Sequence, residues 1–309
     1  MGMSKDDDAD TIEFSLPTPP AGQRATSISS QVQVDLGALS HRGKVRPNNE
    51  DSFLVTRFER TFRTLLTNLP AGYVSEQYAE TGYGMLVADG MGGAAAGEVA
   101  SRAAIKSLVE LVLRTPDWIM RYDEPSITQV LKRLDRRFLK VREALLERVQ
   151  ADPSLAGMGT TMTVACTLGA GLVIAHVGDS RVYLFREGQL SRLTRDQTMA
   201  QTLVDVGALR SEDVATHPMR HVLTGAIATQ GATGRAELHH SQLADGDQLL
   251  LCTDGLTEMV TEAAIAEVLT AQGSAADACR TLVDSALEGG GKDNVTVVLG
   301  RYRIPEERA

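Results

Sequence analysis

The chain has little that would take it out of water or staple it covalently. None of its apolar runs approaches the ~20 residues a membrane span requires. Its Asp-rich start, MGMSKDDDAD, lacks the basic stretch and apolar core of a signal peptide. A soluble, cytoplasmic protein with no membrane partner is expected. The three cysteines, Cys166, Cys252 and Cys279, form no CxxC pair, and the first two lie in apolar runs where small thiols are ordinary core residues. Basic residues are in deficit, 31 against 40 acidic ones, for a formal net charge of −9. That balance argues against a nucleic-acid partner, because binding to a phosphate backbone is driven by cationic excess. Among six histidines no HExxH occurs, and His239-His240, facing opposite sides of a strand, read as surface residues. The glycine-rich VADGMGGAAAGE has neither a GK[ST] ending nor GxGxxG spacing, so it fits neither nucleotide loop.

What is present divides into a tail and one domain. Residues 1–28 are rich in Asp, Ser, Thr and Pro and are expected to be disordered. No stretch within 29–305 resembles a linker, so a single domain is expected there. Val130, Leu131, Leu134, Phe138, Val141 and Leu145 recur at spacings of three and four, which predicts an amphipathic helix over 126–150. A second helix is predicted over 94–114, and shorter ones near 197–207, 261–270 and 275–288. Between them lie β-branched runs, among them SFLVTRF, YGMLVA, TTMTVACTL, LVIAHV, DQLLLCT and NVTVVLG. Several are apolar on both sides of the alternation, so their sheets need cover on both faces. RVYLFREGQLSRLT reads as a hairpin around Glu187-Gly188. An α+β protein with antiparallel sheets in the middle and helices outside is the expected layering. The stretch 57–82 reads as an extended excursion or hairpin loop, and 195–220, polar with a His-Pro stop, as a mobile cover over a site.

Four aspartates sit where apolar strands meet turns: Asp89 in MLVADGMGG, Asp179 in VIAHVGDSR, Asp254 in LLLCTDG and Asp293 in GGGKDNVTVV. One Asp-Gly is only a turn signal. Several acids delivered by separate strand ends, together with Asn49-Glu50-Asp51, point to a metal site of oxygen ligands. Carboxylates and carbonyls suit hard cations such as magnesium or manganese. Gly90 after Asp89 lets its own carbonyl approach a cation. Asp245-Gly246 precedes its strand and reads as a turn. Arg46, in SHRGKVRPNNEDSF, offers a planar fork for a phosphate, or else a salt bridge to Glu50 or Asp51.

The blocks SHRGKVRPNNEDSF, MLVADGMGGAAAGEVAS, GMGTTMTVA, IAHVGDSRVYLFREG, LTRDQTMAQTLVDVG, LLLCTDGLTEMV and GGKDNVTVVL occur in this order. Together they resemble the bacterial branch of the metal-dependent, type 2C serine/threonine protein phosphatases, over about Gln33 to Tyr302. The resemblance implies a four-layer α-β-β-α sandwich. It also implies that Asp89 bridges two manganese or magnesium ions with help from the Gly90 carbonyl. Asp254 and Asp293 would complete the first metal position, with Glu50 and Asp51 on or near the second. Asp179 with Asp254 would hold a third ion, Arg46 would bind the substrate phosphate, and Asn294 would lie beside the site. The implied reaction is hydrolysis of phosphoserine or phosphothreonine by water held between two metals roughly 3.5–4 Å apart, in a monomer whose partners are phosphorylated proteins and a Ser/Thr kinase. Two departures stand out: Met91 occupies the place where many eukaryotic relatives have a histidine, and 57–82 is longer than in compact bacterial members. The competing readings are a non-catalytic phosphoprotein-binding module and a metal-dependent nuclease, and the acidic balance disfavours the nuclease.

Overall fold

Strands that are apolar on both sides need cover on both faces, and this chain supplies it by laying two sheets together inside two helical layers. The computed structural model describes residues 25–26, 28–70, 72–92, 96–114, 124–231 and 234–305. In chain order the strands begin β1 (Ala25–Thr26), β2 (Gln33–His41), β3 (Asp51–Arg63), β4 (Gln77–Met91), β5 (Gly159–Thr160), β6 (Met162–Leu168) and β7 (Gly171–Val177). They continue with β8 (Arg181–Arg186), β9 (Gln189–Arg192), β10 (Ile227–Ala228), β11 (Glu237–Gln242), β12 (Gln248–Cys252) and β13 (Val295–Arg303). The helices are α1 (Ala96–Leu113), α2 (Glu124–Ala151), α3 (Met199–Asp205), α4 (Asp254–Thr257), α5 (Glu262–Thr270) and α6 (Ala275–Glu288).

One sheet runs β10-β5-β4-β6-β7-β11, with β3 and β1 also paired to β4; the other runs β2-β13-β12-β8-β9. The pairs are antiparallel except that of β1 with β4. Strand alternation then sorts side chains into layers. Met85, Val87 and Ile174 of the first sheet meet Leu249, Leu251 and Val298 of the second. Leu86 and Ala88, on the opposite face of β4, pack with Ala100 and Ala104 of α1 and Leu134 and Phe138 of α2. Leu250, Val297 and Leu299 turn to Ile265 of α5 and Leu282 and Val283 of α6. Each such aliphatic side chain contributes roughly 1.5–3 kcal/mol when fully buried, so the strand ends that carry the acids are anchored in three apolar layers.

Several elements depart from expectation. Ala25–Thr26 falls within the stretch expected to be a disordered tail, yet pairs with Tyr78–Ala79; the rest of that stretch up to residue 24, and residue 27, lie outside the described residues. The 57–82 excursion is a long hairpin, because β3 and β4 stay paired as far as Arg63 and Gln77. β11, which carries His239 and His240, is an edge strand of mainly polar residues, half-buried at its start and exposed at its end, and so lacks the apolar alternation that marks the others. The hairpin at Glu187-Gly188 forms as predicted, with both residues at positive φ (51° and 78°). The 195–220 stretch contains α3 and a 3-10 turn over Ser211–Thr216.

Candidate metal centre

Asp51 and Asp89 are direct cross-strand partners at the same end of the first sheet. The Asp89 backbone is held from its other side: its N–H donates to Thr161 Oγ1 (3.0 Å), and its carbonyl accepts from Thr161 N–H (2.8 Å) and Thr160 Oγ1 (2.9 Å). At Gly90 the strand end touches the start of α1, where a Cβ would lie 2.1 Å from the Gly97 carbonyl oxygen. Only glycine permits that approach. The second sheet delivers Asp254 at the first residue of α4 and Asp293 just before β13. Gly255 plays the matching part, since a Cβ there would lie 1.9 Å from the Asn294 carbonyl oxygen.

Asn294, expected only to lie beside the site, organises it. Its Nδ2 donates to the carbonyls of Arg42 (2.9 Å) and Asn48 (2.8 Å), and its Oδ1 accepts from the Glu50 N–H (2.8 Å). One amide thus pins the loop that carries Arg46 and Glu50. Sequence reasoning also missed a threonine pair: Thr253 and Thr296 donate to Asp51 Oδ2 at 2.8 and 2.7 Å. Their adjacency to Asp254 and to the Asp293-Asn294 turn was the available signal. The remaining oxygens, Asp51 Oδ1 and Asp254 Oδ1, are buried with no hydrogen-bond partner among the described residues, a costly state for a carboxylate without a cation.

The electrostatics place the acids in one another's field. Burial pushes Asp51 up to about 7 against the pull of its two threonines, with Asp293 and Glu50 adding to the rise. Burial, then Asp51, Asp254, Asp179 and Asp293, holds Asp89 well above the carboxylate range. Asp254 is raised likewise by burial, Asp179, Asp293, Glu258 and Asp51. Asp179 rises to about 7 through burial and the nearby Asp196. Glu50 is raised by burial, with Arg46 opposing. The structure therefore brings Glu50, Asp51, Asp89, Asp179, Asp254 and Asp293 together.

Arg46 forms its ion pair with Asp293 (Nη2 to Oδ2, 2.7 Å) rather than with Glu50 or Asp51. Asp51 Oδ2 is already occupied by hydroxyls, whereas Asp293 is partly exposed and keeps Oδ2 for Arg46 while its Oδ1 accepts from the Asn294 N–H (2.8 Å). Asp245 drops out of the site as predicted, its Oδ1 accepting from the Ile304 N–H at 2.8 Å. No histidine has a metal-binding sequence spacing, but the fold brings one beside the acids. His221 Nδ1 lies 2.9 Å from Glu258 Oε1, and ligand atoms of His221, Asp254 and Glu258 lie within 4.8 Å of one another. Glu258, one helical turn after Asp254, was readable from spacing; His221 arrives from a distant polar segment with no periodicity to announce it.

Two packed antiparallel sheets between helical layers, with carboxylates converging at their rim, define an α+β sandwich with an acid-lined site. The family described as Protein phosphatase 2C matches residues 74–288. The serine/threonine protein phosphatase PstP of Mycobacterium tuberculosis is 37% identical over 262 residues, covering 85% of this chain and 44% of that protein. This chain therefore spans less than half the length of that relative. Serine/threonine phosphatase stp of Listeria innocua is 32% identical over 215 residues, covering 70% of this chain and 82% of that protein. Among solved structures, M. tuberculosis PstP/Ppp has a TM-score of 0.68 at 36% identity, covering 87% of this chain and 98% of that one. The catalytic domain of PstP in complex with two manganese ions has a TM-score of 0.67 at 34% identity, covering 88% and 99%. The chain belongs to the protein phosphatase 2C family.

Proposed function

We propose that the chain hydrolyses phosphoserine and phosphothreonine esters of proteins as a metal-dependent phosphatase, folded as one domain over residues 29–305. The observation that carries this reading is the convergence of six carboxylates around buried oxygens that no donor among the described residues satisfies. Such a donor set fits hard divalent cations, manganese or magnesium. Asp89 and the Gly90 carbonyl would serve two ions, Asp254 and Asp293 would complete one position, and Glu50 and Asp51 would stand on or near the other. Asp179 and Asp254 would hold an accessory third ion. The chemistry supplied by cations bound there is acidification of a water and neutralisation of phosphoryl charge. Arg46, half exposed at the rim with its fork paired to Asp293, would take the ester's phosphate oxygens. A cysteine nucleophile is disfavoured: burial pushes the thiols of Cys166, Cys252 and Cys279 up to about 11, 12 and 12, which keeps them protonated.

Support comes from the relatives, which are bacterial serine/threonine phosphatases, one of them solved with two manganese ions. The proposed setting is the cytoplasm, where a monomer opposes a Ser/Thr kinase on phosphorylated proteins. No described helix is long and apolar enough to cross a membrane. The test is manganese-dependent hydrolysis of p-nitrophenyl phosphate that stops on chelation. A folded, metal-loaded protein inert toward that ester and toward phosphopeptides would turn the reading to a binding module. Arg46→Ala is expected to raise KM roughly ten- to a hundredfold, as for loss of a charge-assisted hydrogen bond, with metal affinity by calorimetry retained. A loss of metal affinity instead would make Arg46 a structural partner of the acids.

A further inference from the structure

The acid cluster opens at one end of β3, and among the described residues no strand lies along the outer side of that strand. β3 pairs with β4 from Asp51 to Arg63 in unbroken register, and among the described residues no other strand pairs with it. The direction of its backbone groups follows from its partner. Asp89 sends both N–H and C=O to Thr161, away from β3, so Asp51 and Asp89 form a non-hydrogen-bonded pair. Asp51 accordingly turns its N–H to Asn49 Oδ1 (3.2 Å). The even-numbered positions alternate with this: Gly90 N–H donates to the Glu50 carbonyl (3.2 Å), and Thr64 N–H to the Glu76 carbonyl (2.9 Å). The odd-numbered residues Phe53, Val55, Arg57, Glu59 and Thr61 therefore point N–H and C=O outward. Among the described residues those backbone groups have no hydrogen-bond partner.

We propose that this edge is the docking surface for substrate: an extended segment of the phosphorylated protein adds to β3 as a further strand and leads its phosphoserine or phosphothreonine to the acids at the strand's start. The proposal rests on the phosphatase reading above. Continuity with the site argues for this occupant, since Glu50 and Asp51 are the residues at which the free edge begins. From Phe53 to Thr61 the edge runs about 26 Å at ~3.3 Å per residue, enough for a peptide flank of several residues. Proteins commonly close such an edge with a proline or a bulge, and β3 has neither. Beyond Asp51 its charged residues, Arg57, Glu59, Arg60 and Arg63, guard against indiscriminate pairing while leaving the main chain available. An edge read through the backbone selects extended conformation over sequence, with exposed Phe53 offering an apolar contact near the site.

The test uses the manganese-loaded wild-type protein and a series of short phosphopeptides, each with one backbone N-methyl group at a successive flanking position. KM is expected to rise about tenfold at every second position and to change little at those between, because only alternate N–H groups of an added strand reach β3. p-Nitrophenyl phosphate, which has no backbone, is measured alongside. A KM indifferent to methyl position, or raised equally at all positions, with normal aryl phosphate turnover overturns the docking proposal and leaves the phosphatase reading intact. Absence of aryl phosphate turnover overturns the phosphatase reading, and the docking proposal with it.

Discussion

Asp254→Asn is expected to remove p-nitrophenyl phosphate turnover, by about a thousandfold or more, while making the metal-free protein harder to unfold. The two effects have opposite signs for one reason. Asp254 is buried among Asp179, Asp293, Glu258 and Asp51, and its Oδ1 has no partner. An asparagine keeps the shape and removes the repulsion, so the apo protein gains stability of about 1–2 kcal/mol, roughly 2–6 °C in Tm at this size. It also removes the charge for which a cation would compete. Steady-state assays and differential scanning fluorimetry in chelator measure the two sides. Lost activity with a lowered Tm would mean that Asp254 serves packing, and unchanged activity would remove it from the metal set.

Metal-free protein is expected to be markedly more stable at pH 5 than at pH 8, with manganese narrowing the difference. Asp51 and Asp179 are carried from an ordinary 3.8 to about 7. A group with a raised folded pKa binds its proton more tightly in the folded state. Its stabilisation is fully present below about 4 and is lost as pH rises through about 7. For Asp51 alone the swing between pH 5 and pH 8 is on the order of 2–3 kcal/mol before relaxation. Saturating manganese at pH 8 supplies the missing counter-charge, and an ion at a hundred times its Kd adds about 2.7 kcal/mol. Thermal scans at the two pH values, in chelator and in manganese, read this directly. A flat apo profile would show that these carboxylates are ionised without strain, which would count against a metal role for Asp51.

Much of this centre was visible before any coordinates because its acids occupy positions with a local signature. Asp89 and Asp254 end apolar runs and precede glycine, and the glycines prove to be sites where another backbone lies within 1.9–2.1 Å of a would-be Cβ. The interior strands β4 and β7 showed apolar residues on both sides, which required cover on both faces. The roles proposed for Glu50, Arg46 and Asp179 rest on the order of motif blocks, because isolated acids and arginines have many uses. What stayed hidden depends on contacts between distant segments. The insertion of β13 between β2 and β12, the hold of Thr253 and Thr296 on Asp51, and the arrival of His221 at Glu258 leave no mark on local periodicity.

The hold of Thr253 and Thr296 on Asp51 has a mechanical meaning. Asp51 belongs to one sheet, while Thr296 lies within the other and Thr253 directly follows one of its strands, so the bonds at 2.8 and 2.7 Å act as a rivet across the seam of the sandwich. Asp89 and Asp254 straddle the same seam. Cations held as proposed by Asp51, Asp89 and Asp254 would bridge the two sheets, and their affinity would gauge how the layers sit on each other around Met85 and Leu251.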